Sequence, residues 1–133
     1  MRRILWAEDN HDDQFLIRVA VNEPPLPVSL AFVDDGVLLL DALEGGTPDL
    51  VVLDLKMPRL GGLETLRRIR AHPAWSRLPV AIFSAGDNPH ETQACRDFGV
   101  LDVVQKPVGL DRYAAAVRGI VQSPLLERPQ LPG

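Results

Sequence analysis

The sequence is poor in the features that mark several common protein classes. It has one cysteine, Cys95, so neither a disulfide framework nor a thiolate metal cluster can be built within one chain, and a reducing, cytoplasmic setting is expected. No apolar run approaches the ~20 residues that cross a bilayer, and Met1-Arg2-Arg3 precedes a stretch too short for a signal-peptide core. Positive charge is not in excess. The 14 Lys and Arg stand against 18 Asp and Glu, a net charge of −4, which gives no general attraction to nucleic acid or to an anionic membrane. Arg67, Arg68 and Arg70 cluster at helical spacing and read as a solvated helix face. Neither G-x-G-x-x-G nor G-x-x-x-x-G-K occurs, so the glycine-rich phosphate loop of a nucleotide-binding module is missing.

What is present suits one soluble α/β domain. A chain of 133 residues with 46% hydrophobic and 24% charged residues can bury one sizeable core but not two. Short apolar runs at Ile4 to Ala7, Val28 to Val33, Leu50 to Leu53, Val80 to Phe83 and Leu101 to Val104 have the length and composition of strands covered on both faces. Helical patterns lie between them: Phe15, Leu16, Val19 and Ala20; Val37, Leu40 and Leu43; Leu63, Leu66 and Ile69; Ala94, Cys95 and Phe98. A fifth helix carries Leu110, Ala114, Val117 and Val121. Gly45-Gly46-Thr47-Pro48 stops the second helix, Pro79 precedes the fourth strand, and Gly99 stands where a helix C-cap belongs. Strict alternation requires right-handed crossovers and a parallel sheet with helices on both faces. Residues 123–133, rich in proline, read as a tail.

The first strand raises a chemical question, because it ends in two adjacent carboxylates, Glu8 and Asp9. Ligands of an open parallel sheet gather outside the carboxyl ends of the strands. Glu8 and Asp9 follow the first strand, Asp54 the third, Ser84 the fourth and Lys106 the fifth, so five groups converge on one rim. Lys106 offsets one of three negative charges. A divalent cation balances the rest, and Mg²⁺ suits carboxylates, a backbone carbonyl, waters and phosphate oxygens. With Mg²⁺ and Lys106 in place, one carboxylate can attack a phosphoryl group while Ser84 hydrogen-bonds one of its oxygens.

These pieces, in order, resemble a two-component response-regulator receiver domain. The likeness rests on Glu8-Asp9, on Asp54-Leu55-Lys56-Met57-Pro58 with Gly61-Gly62, on Ser84-Ala85 and on Lys106-Pro107. It spans roughly residues 3 to 122, and implies a receiver domain over 1–122 followed by the tail 123–133. The implied fold is a flavodoxin-like doubly wound (βα)5 unit with strand order 2-1-3-4-5. The implied roles are Asp54 as phosphoacceptor from a sensor histidine kinase, and Asp9, Asp54 and the Lys56 backbone carbonyl as Mg²⁺ ligands. Glu8 acts through a bound water, Ser84 and Lys106 bind phosphoryl oxygens, and the Ala85 backbone N–H assists. The protein is then a switch rather than an enzyme, with intrinsic self-phosphorylation and autodephosphorylation chemistry and an output surface near residues 85–121.

Val103 departs from the family, which commonly has an aromatic switch residue three positions before the lysine. Within the family, Glu8-Asp9-Asn10 leading into Asp12-Asp13, Asp35-Gly36, Pro24-Pro25-Leu26-Pro27 and Pro58-Arg59 resemble regulators paired with bacterial phytochrome kinases. The end of the chain soon after the fifth helix suggests a single-domain regulator that docks on an unknown downstream protein or passes the phosphate onward. A pseudo-receiver without phosphotransfer is the alternative. A haloacid-dehalogenase-type phosphatase needs a second Asp where Lys56 stands. A homodimer is expected through residues 110–121: Leu110, Ala114, Val117 and Val121 form the core stripe, and Tyr113, Ala116 and Ile120 widen the apolar sector to roughly 160°. Leu125, Leu126 and Leu131 are expected to pack, as an exchanged arm, on the partner subunit.

Overall fold

A computed structural model describes residues 1–86 and 88–127 of the chain. Five strands and five helices alternate as β1 (Arg2–Ala7), α1 (His11–Asn22), β2 (Val28–Val33), α2 (Gly36–Glu44), β3 (Leu50–Leu53), α3 (Gly62–Ala71), β4 (Val80–Ser84), α4 (Pro89–Asp97), β5 (Asp102–Gln105) and α5 (Leu110–Val121). All pairings are parallel, and the order is β2-β1-β3-β4-β5. This is the doubly wound arrangement expected from the alternation.

The period-2 geometry of a strand sends neighbouring side chains to opposite faces, and the core divides accordingly. Leu5, Ala7, Val51, Leu53, Val80 and Ile82 pack under α2, α3 and α4 with Leu39, Leu66 and Ile69. Ile4, Trp6, Leu50, Val52, Ala81 and Phe83 pack under α1 and α5 with Ile17, Val117 and Val121. β3 and β4, in the middle, are buried throughout.

Helix starts are capped as their sequences allow. Asn10, Asp35 and Asn88 each offer a side-chain oxygen to a backbone N–H of the first turn of α1, α2 and α4. Gly62 is needed at the start of α3, because a Cβ there would lie 2.2 Å from the Asp54 carbonyl oxygen. That close approach lets the loop after β3 fold tightly back over the sheet rim.

Several expected details are corrected. β4 runs to Ser84, so this residue ends the strand rather than following it, and β5 begins at Asp102. α1 turns a different face inward: Ile17, Ala20 and Val21 are buried, whereas Phe15 is 65% exposed. In α5, Tyr113, Val117, Ile120 and Val121 are buried and Leu110 is 70% exposed. Arg70 does not belong to a solvated face; its guanidinium donates to the carbonyls of Phe98 at 2.7 Å and Leu78 at 2.8 Å. The start of the tail is a short 3-10 helix, Pro124–Glu127, and Leu126 packs on the core of its own chain. Leu131 lies outside the described residues.

Candidate functional site

The carboxyl ends of β1, β3, β4 and β5 bring the predicted polar residues together. Parallel pairing aligns Ala7 with Leu53 and Ser84 with Gln105, so the residues just beyond these positions share one rim. Glu8 and Asp54 are buried there, Ser84 is buried at the end of its strand, and Asp9 is exposed beside them. One ligand atom from each of Glu8, Asp9 and Asp54 lies within 4.8 Å of the others.

Lys106 is the hub. Its Nζ donates to a Glu8 carboxylate oxygen, to Asp54 Oδ2 at 3.1 Å and to Asp13 Oδ2 at 3.2 Å. An ammonium has three N–H donors, and three carboxylates engage them. The other Asp54 oxygen accepts from Ser84 Oγ at 2.8 Å and from the Lys56 backbone N–H at 3.3 Å. Glu8 Oε2 accepts the Asn10 N–H at 3.1 Å. The Gly86 N–H donates to Ser84 Oγ at 3.4 Å, and Ala85 is exposed at the start of the loop after β4.

Burial sets the electrostatics. It pushes the Glu8 carboxyl up to about 7, even though the hydrogen bond from Lys106 works in the opposite direction. Burial alone would lower the Lys106 ammonium, but the hydrogen bond to Glu8 and the charge of Asp54 outweigh it and hold the ammonium above the ordinary lysine range. One lysine thus faces four carboxylates counting Asp9, and this excess of hard oxygen donors fits a divalent cation.

Two residues of this network carried no role in the sequence. Asp13 drew notice only within Asp12-Asp13, and its place one turn into α1, capped by Asn10, is the local sign that it could face the rim. Tyr113 was expected on the flank of a dimer helix, but it is buried, its hydroxyl donates to Asp13 Oδ1 at 2.6 Å, and its ring meets Phe83 edge-on at 5.2 Å. Burial and the bond to Asp13 both raise the phenol above its ordinary range. Asp35 and Arg59, noted separately in the sequence, form an ion pair at 2.7 Å that ties the α2 N-terminus to the loop after β3, where Arg59 adopts a positive φ of 62°.

A doubly wound five-stranded sheet with an acidic pair, an aspartate, a serine and a lysine on its carboxyl rim defines a receiver, and the chain belongs to the response regulator receiver domain family, whose model matches residues 4–118. Among curated proteins, response regulator MprA of Mycobacterium sp. (strain KMS) is 35% identical over 120 residues, covering 90% of this chain and 50% of that protein. The chain therefore spans about half the length of the curated relatives it matches. Among solved structures, the Mn²⁺-bound form of response regulator Rcp1 superimposes with a TM-score of 0.86 at 26% identity, covering 100% of both chains. The phosphorylated cyanobacterial phytochrome response regulator RcpA does so with a TM-score of 0.86 at 29% identity, covering 99% of both. The protein is a receiver domain of two-component signalling, a family of switches that bind a divalent metal in an acidic pocket. Among the described residues no helix is long and apolar enough to cross a membrane.

Proposed function

We propose that residues 1–122 form a working phosphoacceptor switch in which Asp54 takes a phosphoryl group from a sensor histidine kinase. The observation that carries this reading is the environment of Asp54: a carboxylate bonded to both Lys106 Nζ and Ser84 Oγ, with Glu8 and Asp9 alongside. In the transfer, an Asp54 oxygen bonds to phosphorus as the P–N bond of the phosphohistidine breaks, and the electron pair returns to the imidazole nitrogen. Lys106 and Ser84, already donating to the Asp54 oxygens, pass their hydrogen bonds to the phosphoryl oxygens, assisted by the Ala85 N–H. Asp9, Asp54, the Lys56 carbonyl and, through water, Glu8 would hold Mg²⁺, which would supply positive charge to offset the negative charge of the phosphoryl group. The same groups serve self-phosphorylation by small acyl phosphates and slow hydrolysis.

The likeness to RcpA supports a bacteriophytochrome as the kinase. The switch acts in the cytoplasm on an unidentified downstream protein. A homodimer through residues 110–121 belongs to the same proposal, with Leu110 rather than Tyr113 at the contact. Tyr113 and Ile120 are committed to the chain's own core, and the exposed apolar pair is Leu110 with Phe15, which line a groove of about 450 Å³ between α5 and α1. Light scattering of wild type and Leu110→Asp checks it: loss of a dimer in the variant is expected, and a monomeric wild type at tens of micromolar ends the idea.

The deciding experiment is labelling by acetyl phosphate in Mg²⁺. Asp54→Asn keeps the fold and loses the label, because only the nucleophile is removed. Undiminished labelling of that variant refutes the assignment, and an unlabelled wild type points to a pseudo-receiver.

A further inference from the structure

The network at Lys106 reaches past the residues that the family resemblance assigns. Asp13 uses its two oxygens on two different segments: Oδ2 takes Nζ of Lys106, just beyond β5, at 3.2 Å, and Oδ1 takes the Tyr113 hydroxyl at 2.6 Å. Tyr113 belongs to α5 and is buried, so its hydroxyl needs an acceptor, and Asp13 is that acceptor. The Tyr113 ring stands edge-on to Phe83 at 5.2 Å, Phe83 adjoins Ser84 in β4, and Lys106 Nζ lies 5.9 Å from the centre of the Phe83 ring. An unbroken chain of contacts therefore joins Asp54, Lys106, Asp13 and Tyr113 to α5.

The opposite side of Ser84 has no such column. Val103, Ser84, Thr92 and Arg96 line a cavity of about 210 Å³, and none of the described residues lining it is aromatic. A valine cannot rotate a ring into that space when the loop after β4 moves. The buried aromatic tied to the site is on α5.

Asp13 is also the partner that Lys106 can release most readily. Its side chain is 20% exposed, against 9% for Asp54 and none for Glu8. A phosphoryl group brings more negative charge to Asp54 and draws the ammonium toward it. Loss of the Lys106 bond frees the Asp13 carboxylate to shift, and the Tyr113 hydroxyl bonded to it shifts with it.

On this basis, and resting on the phosphoacceptor reading above, we propose that Asp13 is a positioning residue for Lys106 and that Tyr113 links it to α5, so that the state of Asp54 is transmitted to α5 through this pair. The test compares full-length wild type, Asp13→Asn and Tyr113→Phe, with beryllium fluoride and Mg²⁺ as the phosphoryl mimic. Backbone amide NMR shifts are followed at Ala85 and across residues 110–121, and acetyl phosphate labelling supplies kcat and KM. In wild type both regions shift. In each variant the Ala85 shift is retained and the α5 shifts shrink by at least half. Asp13→Asn lowers kcat of labelling about tenfold with KM no higher, as expected when the lysine loses its orientation. Wild-type α5 shifts in both variants overturn the proposal, as does a wild type whose Ala85 responds while α5 does not. If wild type neither labels nor responds anywhere, the phosphoacceptor reading fails first. Thermal melting identifies an unfolded variant, and Tyr113→Phe, which removes one oxygen atom, then decides the outcome alone.

Discussion

The two faces of the sheet bury side chains equally well but differ in how they reach the carboxyl rim. Under α1 and α5, Trp6, Phe83 and Tyr113 form an aromatic column, with ring centres 5.8 Å apart for Trp6 and Phe83 and 5.2 Å for Phe83 and Tyr113, and the column ends at Asp13 and Lys106. Under α2, α3 and α4 the core is mainly aliphatic, its buried tryptophan, Trp75, lies in the connection after α3, and a cavity of about 210 Å³ remains beside Val103 and Ser84. The difference gives the Asp54 rim an aromatic connection to α5 and leaves an open cavity without aromatic lining on its α4 side.

The comparison can be broken most forcefully at the aromatic column. Phe83→Ala removes a ring with no exposed surface that touches both Trp6 and Tyr113, and is expected to cost about 3–5 kcal/mol in urea unfolding. A loss below about 1 kcal/mol contradicts the close packing assigned to that column.

Next in size is Lys106→Met, which removes the cation shared by Glu8, Asp54 and Asp13. Leaving buried carboxylates uncompensated is expected to cost about 3 kcal/mol without metal, with part of the loss recovered on adding Mg²⁺. A variant as stable as wild type in a chelator shows that the network contributes little to the metal-free fold.

A smaller effect concerns protons. The folded protein keeps the Glu8 proton up to about 7, whereas the unfolded chain releases it near the ordinary glutamate value of 4.5. In the metal-free protein this group therefore favours the fold at low pH, and its contribution is lost as pH rises through 7. A divalent ion competes with that proton, so the apparent Kd for Mg²⁺ should weaken roughly tenfold between pH 8 and pH 6. A pH-independent Kd from isothermal titration removes Glu8 from the metal site.

The smallest change is expected on the α4 side. Val103→Phe directs a ring toward the cavity next to Ser84 and should cost about 1 kcal/mol, the low end for added bulk, because space is already open there. It sharpens the comparison by supplying an aromatic where receivers usually have one. If beryllium fluoride then shifts α4 amides as strongly as those of α5, the missing ring accounts for the asymmetry.

Much of this protein was legible along the chain. Strand-length apolar runs separated by helical patterns encode five βα units, because a strand buried on both faces must be apolar throughout, and the polar residues that interrupt those runs at Asp54, Ser84 and Lys106 announce the rim. Helix phase was less legible. Phe15 and Leu110 are as apolar as the residues that were buried instead, and periodicity gives a stripe without saying which of its flanks meets the sheet.

The order of elements, the parallel sheet and the titratable groups at strand ends are all written along the chain, since they follow from local pattern and from the alternation that forces right-handed crossovers. It takes the folded arrangement to bury Glu8 wholly against Lys106, to make Asp13 share that lysine with Asp54, and to bring in Tyr113, 100 residues further along the chain, to complete the link. Such contacts depend on how α1 and α5 pack against each other over β1 and β4. No spacing within either helix records that packing.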